Sequence, residues 1–163
     1  MIRDEDFDRN RRRLLNPWTF RTYLWGRLPL AAFAGLRVVK LDAGACVVSL
    51  PGGWRTRNPF RSAYFAAQAM AAEMSTGAPA LVLAESAGAL VALLVREIHG
   101  TFSKKAVGES LFSFDGVASM RAAVEAAAAG GDGTSFVARS TGRSPDGAVV
   151  AEFDISWSFK RRS

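Results

Sequence analysis

The chain has 163 residues, 49% of them hydrophobic, and its 21 lysines and arginines against 15 acidic residues leave a net charge of +6. That length and apolar content suit one domain around a single core, so no second domain is required. The positive balance favours anionic partners, and phosphate-bearing small molecules, nucleic acid and anionic lipid all have the right sign, while the single cysteine, Cys46, excludes an internal disulfide.

Residues 1–15 read as a mixed-charge arm, and the start MIRDEDFDRNRRR lacks the apolar core of a secretion signal, so a cytoplasmic location is expected. Asn16-Pro17 then begins a helix through WTFRTYLWGRLPLAAFAG, with breaks at Gly26 and Pro29. Its aromatic residues Trp18, Phe20, Tyr23 and Trp25 suit core cover, a partner interface or a membrane surface, and core cover is the favoured reading. Arg21, Arg27 and Pro29 interrupt the stretch and would be costly in a bilayer core, so it is not read as a transmembrane span.

Leu36–Leu41 and Cys46–Leu50 are short β-rich runs joined at Asp42-Ala43-Gly44, which predicts a hairpin. A helix is predicted over Asn58–Gly77, with Ser62 as its cap, alanine through its interior, and Gly77 and Pro79 as its stop. Beyond it, ALVALLVREI starts a strand that continues toward HGTFSKKA, Gly108 turns the chain, and Ser110–Phe114 forms another strand. Val117–Ala129 is an alanine-rich helix closed by glycines, and Thr134–Gly142 and Val149–Phe159 make a terminal hairpin about Ser144-Pro145-Asp146-Gly147. The alternation of Val149, Ala151, Phe153, Ile155, Trp157 and Phe159 with mostly polar neighbours marks a half-buried antiparallel strand. This order suits an α+β domain, an antiparallel sheet curled around one helix.

The informative residue is Glu73, a carboxylate near the end of a helix that is apolar nearly all round, which is the mark of a buried helix. An acid placed there needs a partner, a raised pKa or a purpose. Catalysis, a structural ion pair and simple exposure are the three readings of it.

The segment Asn58, Tyr64-Phe65-Ala66 and Ala71-Ala72-Glu73, followed by Phe102-Ser103-Lys104-Lys105-Ala106 and Gly108, resembles the hotdog-fold thioesterases, in particular the PaaI-like and DUF4442-type thioesterase-like domains. The resemblance covers roughly residues 16–162, set as one domain over 16–163 after the arm at 1–15. It implies a hotdog fold with an extra N-terminal helix and an inserted helix before the last two strands. It also implies hydrolysis of an acyl thioester on coenzyme A or an acyl carrier protein, with Glu73 as general base or nucleophile and Asn58 orienting water or substrate. Tyr64, Phe65, Ala66 and Met70 would then line the substrate site, the Phe65 and Ala66 N–H groups serving the oxyanion. Arg57, Arg61, Lys104 and Lys105, with Arg55, would meet the nucleotide phosphates. Tyr64 and Ala66 stand where the family has His and Gly, which keeps a second reading open, a non-catalytic domain that binds an acyl chain, lipid or acyl-CoA.

The resemblance implies a homodimer or homotetramer with the site shared between subunits. No metal and no cofactor is expected beyond a coenzyme A group on the substrate. His99, the one histidine, is read as structural, and Cys46 has no partner for nucleophilic or metal chemistry. Nucleic-acid or membrane binding through Arg9–Arg13 and Lys160–Arg162 is the disfavoured third reading.

Overall fold

The structure, a computed structural model, describes residues 1–162. The N-terminal region holds three helices, α1 (Asp4–Leu15), α2 (Pro17–Arg27) and α3 (Pro29–Ala34). Most of the mixed-charge arm, residues 4–15, is helical as α1: Ile2 and Phe7 have apolar surface to bury, and the acids in its first turn and arginines in its last suit the helix dipole. It is tied down at both ends: Arg121 donates to Asp4, the Ile2 N–H donates to Glu125 at 2.7 Å, and Asn10 Nδ2 donates to Ser86 Oγ at 2.9 Å. Asn16 caps α2, its side-chain oxygen accepting from the Trp18 and Thr19 N–H groups. Pro29 starts α3, and Gly35, at φ +79°, ends it in the left-handed conformation that glycine adopts without strain.

The sheet comprises β1 (Arg37–Leu41), β2 (Cys46–Leu50), β3 (Val91–Phe102), β4 (Ser110–Phe114), β5 (Thr134–Arg143) and β6 (Val149–Arg161), with α4 (Phe65–Glu85) between β2 and β3 and α5 (Val117–Ala129) between β4 and β5. The order across it is β1-β2-β4-β5-β6-β3, and each neighbouring pair is antiparallel. In β6 the side chains of Phe153, Ile155, Trp157 and Phe159 are buried, as their alternation requires, and Val150 is buried as well. The sheet curls around α4, whose Ala71, Ala72, Ala80 and Leu83 are fully enclosed. This is the architecture that the resemblance implied.

The central helix departs from the sequence reading at both ends. It begins at Phe65, because Asn58–Tyr64 is held in a loop by the Ala63 N–H to the Ala106 carbonyl at 2.8 Å and the Tyr64 N–H to the Thr56 carbonyl at 2.7 Å. Ser62 therefore caps nothing, and its N–H and hydroxyl both turn to Asn58. At the other end α4 runs through Gly77 and Pro79 to Glu85. A proline inside a helix costs roughly 3 kcal/mol, but Val82 and Leu83 beyond it are buried, each contributing about 1.5–3 kcal/mol by transfer from water. Burial outweighs the local stop signal.

Candidate active site

Helix α4 presents one half-exposed stripe. Ala66, Ala69, Met70, Glu73, Gly77 and Leu81 are each partly open, at spacings of three and four, while most other positions between Ala67 and Ala84 are buried. Glu73 is the acid of that stripe. Burial alone pushes its carboxyl above the ordinary value of 4.5, with no hydrogen bond or neighbouring charge acting to lower it. The ion-pair reading of Glu73 thus finds no partner within this chain among the described residues.

Gly77 explains itself here. A methyl group added to it would lie 2.8 Å from Glu73 Oε1 and 3.3 Å from the Trp157 indole, so this glycine keeps space for the carboxylate. The helix is pinned behind that point: Trp157 Nε1 donates to Thr76 Oγ1 at 3.0 Å, Thr76 Oγ1 donates to the Glu73 carbonyl at 2.9 Å, and the Ser75 and Ser140 hydroxyls meet at 2.8 Å. The acid stands on a rigid element.

At the N-terminus of α4 a cavity of about 490 Å³ lies between the Asn58 loop, the first helical turn and the end of β3. Tyr64, Phe65, Lys104 and Lys105 line it together with Asn58, whereas Glu73 does not. Tyr64 and Phe65 are half-exposed and meet edge to face, centroids 4.7 Å apart. The Phe65 and Ala66 N–H groups open the helix, where no preceding turn supplies an acceptor. Arg57 and Arg61 line a small adjoining hollow with Ser62, Ala63 and Ala106, residues shared with the larger cavity. Lys104 Nζ is 3.0 Å from Asp146. Met70 lies outside the cavity, on the stripe beside Glu73.

Asn58 is spent on its own loop. Its Oδ1 accepts from the Phe60 N–H at 3.0 Å, the Ser62 N–H at 3.2 Å and the Ser62 hydroxyl at 3.3 Å, an Asx-type turn that shapes one cavity wall. Gln68 is the residue that sequence reasoning passed over. It is buried in the same cavity wall, donates to the Ala63 carbonyl at 3.2 Å, and leaves its Oε1 without a partner. A buried acceptor left open is costly, and its signal in the sequence was a lone amide in an apolar helix, four residues after Tyr64.

The remaining candidates lie apart from this region. His99 is exposed on β3, in register with Asp154. Cys46 is buried in β2, where burial pushes its thiol up to about 12 and leaves it inert. No helix of the described residues is long and apolar enough to cross a membrane.

Residues 17–158 match a protein-family model described as a domain of unknown function, DUF4442. Among solved structures, a Pseudomonas aeruginosa protein of unknown function described as a probable thioesterase superposes with a TM-score of 0.73 at 20% identity, over 90% of this chain and 97% of its own. A protein of unknown function from Chlorobaculum tepidum gives 0.72 at 13% identity, over 91% and 98%. A Haemophilus influenzae thioesterase gives 0.63 at 11%, over 88% and 90%. No curated protein matches the chain. At these identities the likeness is one of fold, and the fold is the hotdog.

Proposed function

This chain belongs to the DUF4442 family, and on that premise we propose that it hydrolyses an acyl thioester carried on coenzyme A or an acyl carrier protein, with Glu73 as general base or nucleophile. The observation that carries the reading is a partly buried carboxylate, pushed up in pKa and unpaired among the described residues, on a helix face kept open by Gly77.

In the general-base form, Glu73 takes a proton from water as the hydroxide oxygen adds to the thioester carbonyl carbon. The oxyanion is stabilised by the Phe65 and Ala66 N–H groups at the positive end of α4, an arrangement worth roughly 10²–10³ in rate per donor. Collapse of the tetrahedral adduct breaks the C–S bond, and the thiolate recovers the proton. In this reading Arg57, Arg61, Lys104 and Lys105, which line the cavity and its adjoining hollow, supply a basic rim for phosphate.

Within one chain the two halves of this machinery stand apart. Seven residues separate Ala66 from Glu73, or about 10 Å along a helix, whereas nucleophile and oxyanion donors must both come within about 3 Å of one reacting group. A homodimer that sets Glu73 of one protomer against the helix N-terminus of the other closes the gap. The sheet supports such pairing: β3 is an edge strand with one side unpaired, and Leu94, Ile98 and Phe102 are exposed along it.

The test is thiol release from short, medium, long and aromatic acyl-CoAs, run beside Glu73→Gln. Release that falls at least about 10²-fold in the variant, the scale of a lost general base, supports the reading. Wild-type turnover in Glu73→Gln removes the catalytic role, and no release from any acyl-CoA or acyl carrier protein favours a domain that binds the acyl group without cleaving it.

A further inference from the structure

The N-terminal face of the molecule is a second surface that the thioester chemistry does not use. On α2, Phe20 and Leu24 cover the core, but Trp18 is 82% exposed and Trp25 53% exposed. Trp18, Arg21 and Trp25 follow at spacings of three and four, so they form one outward stripe of α2 beside the buried Phe20 and Leu24. On α3, Leu30 and Phe33 are exposed while Ala31 and Ala34 are buried. Phe33 meets Trp54 edge to face at 5.8 Å, which extends the ridge into the loop after β2.

The charge on this face is one-sided. From residue 16 to residue 55 the chain carries four arginines and one lysine but a single acid, Asp42, and that acid lies 3.1 Å from Lys40. Arg37 finds Glu109 at 3.2 Å, whereas Arg21, Arg27 and Arg55 have no carboxylate partner among the described residues. Between α2, α3 and β1 runs a groove of about 620 Å³ lined by Phe20, Leu24 and Val38 together with Arg21, Arg37 and Arg55. Strand β1 is the edge of the sheet opposite β3, so this surface is separate from the edge offered to a second subunit.

We propose that this face docks the protein peripherally on an anionic lipid bilayer, with Trp18, Trp25, Leu30, Phe33 and Trp54 inserted at the headgroup level and the surrounding arginines held to lipid phosphates. Tryptophan is the side chain that favours the water–bilayer boundary, and exposed apolar residues rimmed by arginine are the makings of an interfacial anchor. A second copy of the same face is a poor occupant, because a twofold contact would set Arg21, Arg27 and Arg55 against their own copies while the nearby acids Asp42 and Glu109 are already paired with Lys40 and Arg37. The arginines Arg9 and Arg11 on α1 play no part, since each is paired with an aspartate, Asp6 and Asp8, at 2.5 and 2.6 Å.

The full chain should float with vesicles of phosphatidylcholine mixed with phosphatidylglycerol at low salt, remain unbound to phosphatidylcholine alone, and be released as salt shortens the screening length. Arg21→Gln with Arg27→Gln should weaken binding by about fivefold per arginine, equivalent to ~1 kcal/mol each. Trp18→Ser with Trp54→Ser should abolish it, and because all four side chains are exposed, unchanged thermal unfolding of both variants would show that folding is intact. Absence of binding to anionic vesicles at low salt, equal binding to neutral ones, or binding that survives the tryptophan pair would overturn the proposal, as would capture by a soluble acidic protein with no affinity for vesicles. None of these readouts depends on turnover, so they stand whether or not Glu73 is catalytic.

Discussion

Glu73 owes its raised pKa to burial, and the direction of that shift makes two linked predictions. In the unfolded chain the carboxyl titrates near its ordinary value of 4.5, while in the native protein it holds its proton to higher pH. Its contribution to stability is therefore most favourable below pH 4.5 and is lost as pH rises through the native value. Glu73→Gln should be more stable than wild type at neutral pH and no more stable under acid, which melting curves across pH will check. If the ionised carboxylate is the base, kcat/KM rises with pH through an apparent pKa above 4.5, and an ascending limb at or below 4.5 would contradict the burial account. Gly77 offers a sharper separation of structure from chemistry. Alanine gains about 1 kcal/mol over glycine in a helix interior, but its methyl would crowd Glu73 Oε1 at 2.8 Å and Trp157 at 3.3 Å. Gly77→Ala should change stability by less than about 1.5 kcal/mol as overpacking and propensity offset, while displacement of the carboxylate lowers turnover by 10-fold or more, up to about 10² for a shift near 1 Å.

Among the elements, α4 and β3 set where the candidate site lies and what can reach it. The helix persists through Pro79 because the residues after it are core residues, so a boundary that local chemistry writes at Gly77 is overruled by burial. Strand β3 is long and leaves an edge unpaired, with apolar side chains exposed along it, and the proposed dimer would cover that edge with a second chain. Leu94→Lys with Ile98→Lys should convert a dimer to a monomer in light scattering, and if the site is shared, turnover should fall with it even though the Glu73 region is untouched. Retention of full turnover by a clean monomer would refute the shared site. The loop from Asn58 to Tyr64 is the third such element: its Asx turn and its ties to Thr56 and Ala106 set the cavity wall and fix where α4 begins.

At the scale of the molecule, sharing predicts complementation. Glu73→Gln removes the acid from one half of each site, and Ala66→Leu obstructs the helix N-terminus that forms the other. Refolded as an equal mixture, two inactive variants should recover about a quarter of wild-type activity, because half of the dimers then hold one intact site of two. A site contained in one chain would show no recovery. The arginine-rich, aromatic face lies by β1 and the unpaired apolar edge proposed for dimerisation by β3, at opposite ends of the sheet.

Strand alternation, turn chemistry and the alanine-rich runs are written in neighbouring residues, so the Asp42 hairpin, α5 within its observed bounds and the β5–β6 hairpin could be read directly from the chain, and the spacing of Asn58, Tyr64 and Glu73 marked the right helix. What covers each element is not written locally. Trp18 and Trp25, taken as core cover, are exposed because Phe20 and Leu24 already fill the surface beneath α2; α4 outruns its stop signal because its last turns are buried; and Asn58, expected to orient water or substrate, has its side-chain oxygen engaged by its own loop. Glu73 stood out in the sequence as an acid in an apolar helix, but only the packed structure decides that it has no partner among the described residues and that Gly77 makes room for it. Periodicity is a property of a segment, whereas burial and pairing are properties of whatever folds against it.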